Sequence, residues 1–119
     1  MLTIEVFHTV FEDTPTHVAS LSHKGTVSAA LEAAYCGTQN LDTSWVHSKG
    51  QNGITVEPMS VAEGKSDGCR STAVGDYARV LQDGRESFWR CGPMGWKEIK
   101  NRSDLMLVRT NASMAAYRM

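Results

Sequence analysis

"DYARVLQDGRESFWRCG", Asp76 to Gly92, decides the fold. Two runs of mixed apolar, aromatic and polar residues, DYARVLQ and ESFWRCG, flank Asp83-Gly84. An Asp-Gly pair in that setting is a strong hairpin signal, because both residues tolerate the positive φ a tight turn requires. We read a strand on each side of it. A three-residue loop, Asp83 to Arg85, would set Val80 opposite Phe88 and Tyr77 opposite Cys91. It would also set Arg79 opposite Trp89, a cation–π pair. Alternation is imperfect in both arms, so the register stays open.

Downstream, "PMGWKEIK" reads as a third strand after a turn at Gly92-Pro93, and "DLMLVRT", Asp104 to Thr110, as a fourth. Residues 110–119 are expected as a flexible tail or a short helix. Upstream, "LTIEVFHTV" sets Leu2, Ile4, Val6 and His8 on one face and Thr3, Glu5, Phe7 and Thr9 on the other, which is strand periodicity. "FEDTPTHVASLSHKG" reads as a turn at Asp13-Thr14-Pro15 followed by a polar connector. "TVSAALEAAYCGTQN" is the clearest helix. Thr26 serves as N-cap, Val27, Ala30, Leu31 and Ala34 form one apolar stripe, and Gly37 suits the C′ position. Leu41 to Gly68 is loop-rich, with a short strand in "GITVEP" that stops at Pro58 and a Gly-punctuated segment, "AEGKSDG", expected to be mobile. The fold class that fits is α+β: a single domain over residues 1–119, with an N-terminal strand and one main helix packed on a C-terminal antiparallel meander.

The chain has 119 residues, 41% hydrophobic and 21% charged, enough for one modest core and against a wholly disordered chain. No apolar run reaches the roughly 18 residues that span a bilayer. The start has neither a basic n-region nor an apolar stretch of signal-peptide length, so a cytoplasmic location is expected. The net charge of -1 is unevenly spread. Residues 1–67 carry an acidic excess, and residues 97–119 a basic one, through Lys97, Lys100, Arg102, Arg109 and Arg118. The domain as a whole is not basic, which argues against nucleic acid as the partner.

Cys36, Cys69 and Cys91 are odd in number and unpatterned, so no disulfide framework is expected. His8, His17, His23 and His47 add potential ligands, yet no CxxC, HxxxH or HxH spacing occurs, so no metal site and no cofactor are specified. There is no G-x-S-x-G elbow and no carboxylate pair in a recognisable motif. "GKSDG" lacks the earlier glycine of a phosphate loop, because Met59 stands there. A non-enzymatic protein is the expectation.

"GCRSTAVGD", Gly68 to Asp76, concentrates an arginine, two hydroxyls and a carboxylate. Gly75 permits a tight turn before the strand, and Asp76 can accept backbone N–H groups at its mouth. Ser71 and Thr72 can satisfy loop backbone. Arg70 can tie carbonyls together with its planar fork or present itself to a ligand or partner. The corner is therefore structural, with Arg70 its candidate contact. Trp45, Trp89 and Trp96 are the aromatic candidates for binding, with core packing as the competing role for the last two.

"RSTAVGDYARVLQDGRESFWRCGPMGWKEI", Arg70 to Ile99, resembles the C-terminal motif of YodL-like domains and small phage and plasmid proteins. The matching positions are Arg70, Ser71, Val74, Gly75, Asp76, Gly84, Gly95, Trp96 and Ile99. Ala73 departs from the pattern, which has Ser there. "AAYCGTQNLDTSW", Ala33 to Trp45, is similar to a segment of actinophage relatives. The resemblance implies a mobile-element accessory role, host takeover, counter-defence or protection of incoming DNA, in a phage of an actinobacterial host. It supplies no catalytic residues. The expected function is stoichiometric binding of a host protein or small signalling ligand in the host cytoplasm. A minor virion or assembly component, compatible with a homo-oligomer, is the alternative, and a nucleic-acid-binding accessory protein the second.

Overall fold

Leu2, Ile4 and Val6 alternate with Thr3, Glu5 and Phe7, so both faces of the first strand need cover. The computed structural model describes residues 2–11, 15–39, 54–56 and 71–118. The strands are β1 (Leu2–His8), β2 (Thr16–His23), β3 (Ile54–Val56), β4 (Tyr77–Gln82), β5 (Arg85–Gly92) and β6 (Gly95–Glu98). They form one six-stranded sheet in the order β3-β2-β1-β4-β5-β6, with each named pair antiparallel. Among the described residues two helices accompany it, α1 (Val27–Gly37) and α2 (Arg102–Arg118). The chain is α+β, with its N-terminal strand at the centre of the sheet.

On one face, Leu2, Ile4 and Val6 of β1 meet Ala19 and Leu21 of β2 and Ala78 and Val80 of β4. Ala30, Leu31 and Ala34 of α1 close this core, and the short alanines let the helix lie close to the sheet. Thr26 caps α1 by accepting the Ala29 N–H at 3.1 Å. The helix ends differently from expectation. Gly37 is its last residue and is buried, Thr38 is the C-cap at φ -112°, and no left-handed residue is used. The Thr38 hydroxyl instead donates to the Ala34 carbonyl at 2.9 Å, satisfying one of the last orphan acceptors.

On the other face, cross-strand register stacks aromatic rings. Phe7 is flanked by His17 and Tyr77, each with a centroid 5.0 Å away, and Phe88 meets Tyr77 edge-on at 6.2 Å. Leu105 and Val108 of α2 cover Phe7, Tyr77 and Phe88. The Tyr77 hydroxyl donates to the Val108 carbonyl at 3.3 Å, and burial pushes its pKa well above the usual phenol value. An ion-pair chain pins α2 from outside: Arg109 to Glu86 at 2.9 Å, Glu86 to Arg79 at 3.3 Å, and Arg79 to Glu5.

Three expectations need correction. "THVASLSH" is β2, not a connector. Its alternation is hidden by a bulge, because Val6 pairs with Ala19 while Phe7 pairs with His17. Val18 is the extra residue, and Val18 and Ala19 both join the α1-side core, which strict alternation forbids. Secondly, "DLMLVRT" is not a fourth meander strand. It opens the 17-residue α2, which runs on through most of the segment expected as a tail or short helix. Asn101 caps it, its side-chain oxygen accepting the Asp104 N–H at 3.2 Å. Thirdly, the hairpin turn has two central residues, Asp83 at φ 50° and Gly84 at φ 78°, the left-handed pair of a type I′ turn. Gln82 pairs with Arg85, Val80 with Ser87 and Tyr77 with Arg90. Arg79 therefore faces Phe88, not Trp89, and its guanidinium is engaged by Glu5 and Glu86. The short strand expected in "GITVEP" is β3, whereas "AEGKSDG" lies outside the described residues.

Candidate functional site

The corner before β4 is built around Asp76, which is fully buried. Its carboxylate accepts three backbone N–H groups: Ala73 at 2.8 Å, Thr9 at 2.9 Å and Val10 at 3.2 Å. Gly75 makes the turn at φ +103°, and a Cβ there would come within 2.7 Å of Val10 Cγ2. The strand end of β1 and the corner are thus locked by one carboxylate and one glycine.

A second set of bonds ties the corner to the end of α1. The Thr72 and Thr38 hydroxyls are 2.7 Å apart, and His8 Nε2 is 2.8 Å from Thr72 Oγ1. With the Thr38 proton directed at the Ala34 carbonyl, Thr72 donates to Thr38, and His8 donates its Nε2–H to Thr72. Thr72 N–H donates to the Thr38 carbonyl at 3.1 Å, and Gln39 Nε2 donates to the Thr72 carbonyl at 3.0 Å.

Thr72, His8 and Asp76 include the residue types of a nucleophilic triad but not its order. Asp76 Oδ2 lies 4.0 Å from the same Nε2 that holds Thr72, instead of orienting the far ring nitrogen. Both side chains are sealed from solvent. The arrangement is a buried lock between the corner, β1 and the end of α1. The Cys91 thiol beside it is held protonated, because burial raises its pKa and the charges of Asp76 and Glu32 add to the effect. Among the described residues, no group of three or more His, Cys, Asp or Glu side chains is placed to hold a metal ion.

What the lock shapes is a groove of about 460 Å³ beside it. Val74 and Gly75 form one wall, the end of β5 a second, and the link from β6 into α2 a third. Val74, Pro93 and Ile99 are apolar members of its lining, and Arg90, Lys97 and Lys100 line it together with Glu98 and Asp104. Arg90 and Lys97 are directly opposed across the β5–β6 ladder. Smaller hollows of about 310 and 290 Å³ lie between α1 and the β5–β6 turn, where Trp89 and Trp96 are found.

Of the residues singled out in the sequence, Thr72 and Asp76 come together as the lock, and Ser71 is half-buried beside them. Trp89 and Trp96 are half-buried and pack against the α1-side core while walling the smaller hollows. Arg70 and Trp45 lie outside the described residues. Sequence reasoning missed His8 and Thr38 as members of the lock, since no spacing joins residues 8, 38 and 72. It also missed Arg90 and Lys97, whose pairing follows from the register of the β5–β6 hairpin.

Fold and site define a class: a small α+β protein with one antiparallel sheet, a helix on each face, and a groove of apolar and charged residues at the sheet corner. Compared with known proteins, the chain matches no family model, no curated protein and no solved structure. Among the described residues no helix is long and apolar enough to cross a membrane.

Proposed function

We propose that this protein acts by stoichiometric binding, as a phage-encoded accessory protein that captures a component of the host cytoplasm through the corner groove. The observation that carries this reading is the groove itself. Its volume of about 460 Å³ falls in the range of small-ligand sites, and its mix of apolar walls with a few charged groups is their usual make-up. The chemistry beside it favours binding over turnover: the nearby histidine is sealed and its neighbouring thiol is protonated. The resemblance of residues 70–99 to phage and plasmid proteins supplies the biological setting of host takeover or counter-defence.

Affinity-tagged protein is incubated with host lysate, beside a double variant carrying Arg90→Glu and Lys97→Glu. Retained small molecules and proteins are identified by mass spectrometry. One component held near one-to-one by the wild type and lost from the double variant is the expected result. Abundance of the protein in purified phage particles overturns the reading in favour of a virion part. A mobility shift of DNA with steep salt dependence overturns it in favour of nucleic-acid binding.

A further inference from the structure

We infer that the groove is a seat for a small aliphatic anion, a short acyl or branched-chain body carrying a carboxylate or phosphate. The inference rests on the binding reading above and names the chemistry of its ligand. Three observations carry it.

First, the cations that line the groove are in no ion pair with another described residue. Among the described residues the side chains of Arg90, Lys97 and Lys100 take part in no ion pair or hydrogen bond, whereas Arg79 and Arg109 are both paired. The two acids at the groove do not cancel them. Glu98 pairs with Trp89, which places it on the α1 face of the sheet, away from Lys97. Asp104 stands in the first turn of α2, where the helix dipole favours a negative charge.

Second, Arg90 and Lys97 are direct cross-strand partners. Like charges in that position repel, and the sheet would be more stable with an opposite pair. Another position of the sheet satisfies that rule: Arg79 is directly opposite Glu5 on β1 and forms ion pairs with both Glu5 and Glu86. The unrelieved repulsion at Arg90 and Lys97 is removed when an anion sits between them.

Third, among the described residues the groove has apolar walls but no aromatic one. Val74 is 55% exposed and stands beside Ile99 and Pro93 as groove lining. A nucleobase would find no ring to stack on, whereas an aliphatic body needs only such contacts.

The test uses the intact, isotope-labelled protein and sodium octanoate as the probe, with octanamide and sodium acetate as the neutral and headgroup-only counterparts. Octanoate is expected to move amide signals confined to residues 74–75, 90–92 and 97–101. Octanamide and acetate are each expected to bind at least about tenfold more weakly. Arg90→Glu and Lys97→Glu should each weaken octanoate about tenfold or more, as loss of one charge-assisted contact does. Neither should lower the melting temperature, because each converts a repulsive pair into an attractive one. Equal binding of octanamide, shifts scattered over the surface, or unchanged affinity in both variants overturns the inference. A variant that melts earlier than wild type overturns the account of the pair as an anion seat. The octanoate map needs no variant, so it decides even there. Silence towards octanoate removes this inference alone, since retention of a host component by the wild type is a separate result.

Discussion

Asp76 shows how much one residue can hold. Three backbone donors from two segments converge on its carboxylate in a site closed to water. Hydrogen bonds to a charged acceptor contribute about 1.5–3 kcal/mol each, and stranding buried donors is the larger penalty. Asp76→Asn keeps the shape but turns an N–H₂ group towards backbone N–H. It is expected to lower unfolding stability by about 2–4 kcal/mol in urea titration. A loss under about 1 kcal/mol would show that the corner is held by other means. Gly75→Ala is expected to lose about 1–2 kcal/mol from the left-handed backbone alone, since Val10 is partly exposed and can swing aside. Tyr77 supplies a pH dependence. Its folded pKa is raised by burial, so the folded state holds the phenolic proton more tightly than the unfolded chain. Its contribution is complete below about pH 10 and declines as pH rises above it, as the unfolded chain ionises first. Tyr77→Phe should flatten that alkaline decline in a melting-temperature series, while losing about 1 kcal/mol at neutral pH with the bond to Val108.

Among the elements, the β4–β5 hairpin and α1 were legible because their signals are local. Asp83-Gly84 states its own turn, and Ala30, Leu31 and Ala34 state their own face. The hairpin register was off by one because Asp83 adopts the left-handed conformation as readily as the glycine beside it, which shortens the loop. β2 was hidden because its bulge breaks the period of two at Val18. The start of α2 reads as a strand in sequence because Leu105 to Val108 is a continuous apolar run, ambiguous without its flanks. Asn101 followed three residues later by Asp104 was the start signal that would have settled it. Leu105 and Val108 then turn inward while Met106 and Leu107 stay exposed. The ion pairs that fasten α2 are partly exposed, so Glu86→Ala is expected to lower global stability by no more than about 1 kcal/mol. Amide exchange in α2 should rise more than in β1, because the released contacts join α2 to the sheet. Uniform acceleration across the sheet would show that the network serves the whole fold. At β5–β6, Lys97→Glu should gain about 0.2–1 kcal/mol in the same titration, and a loss there would mean that Arg90 and Lys97 are compensated in solution.

For the whole molecule, β1 and β4 both contribute to the two cores, β1 with Ile4 fully buried on the α1 side and Phe7 at the centre of the aromatic stack. Phe88→Ala is expected to remove about 3–5 kcal/mol and to loosen α2, whose Val108 and Arg109 rest on that ring. Near-ultraviolet circular dichroism and urea unfolding should then change together, and a variant that loses signal without losing stability would separate the aromatic stack from the fold. The sequence by itself determined the strand character of β1, β4, β5 and β6, the turn at Asp83-Gly84, the apolar stripe of α1 and the corner roles of Gly75 and Asp76. Each rests on residues within a few positions of one another, where dihedral preference and periodicity act directly. Only the tertiary structure decided that β1 lies between β2 and β4, that Val18 bulges, that His8 meets Thr72, and that Arg90 faces Lys97 over a groove. Those contacts come from strand order and register, set by burial of both sheet faces at once, a condition no local window of the chain contains.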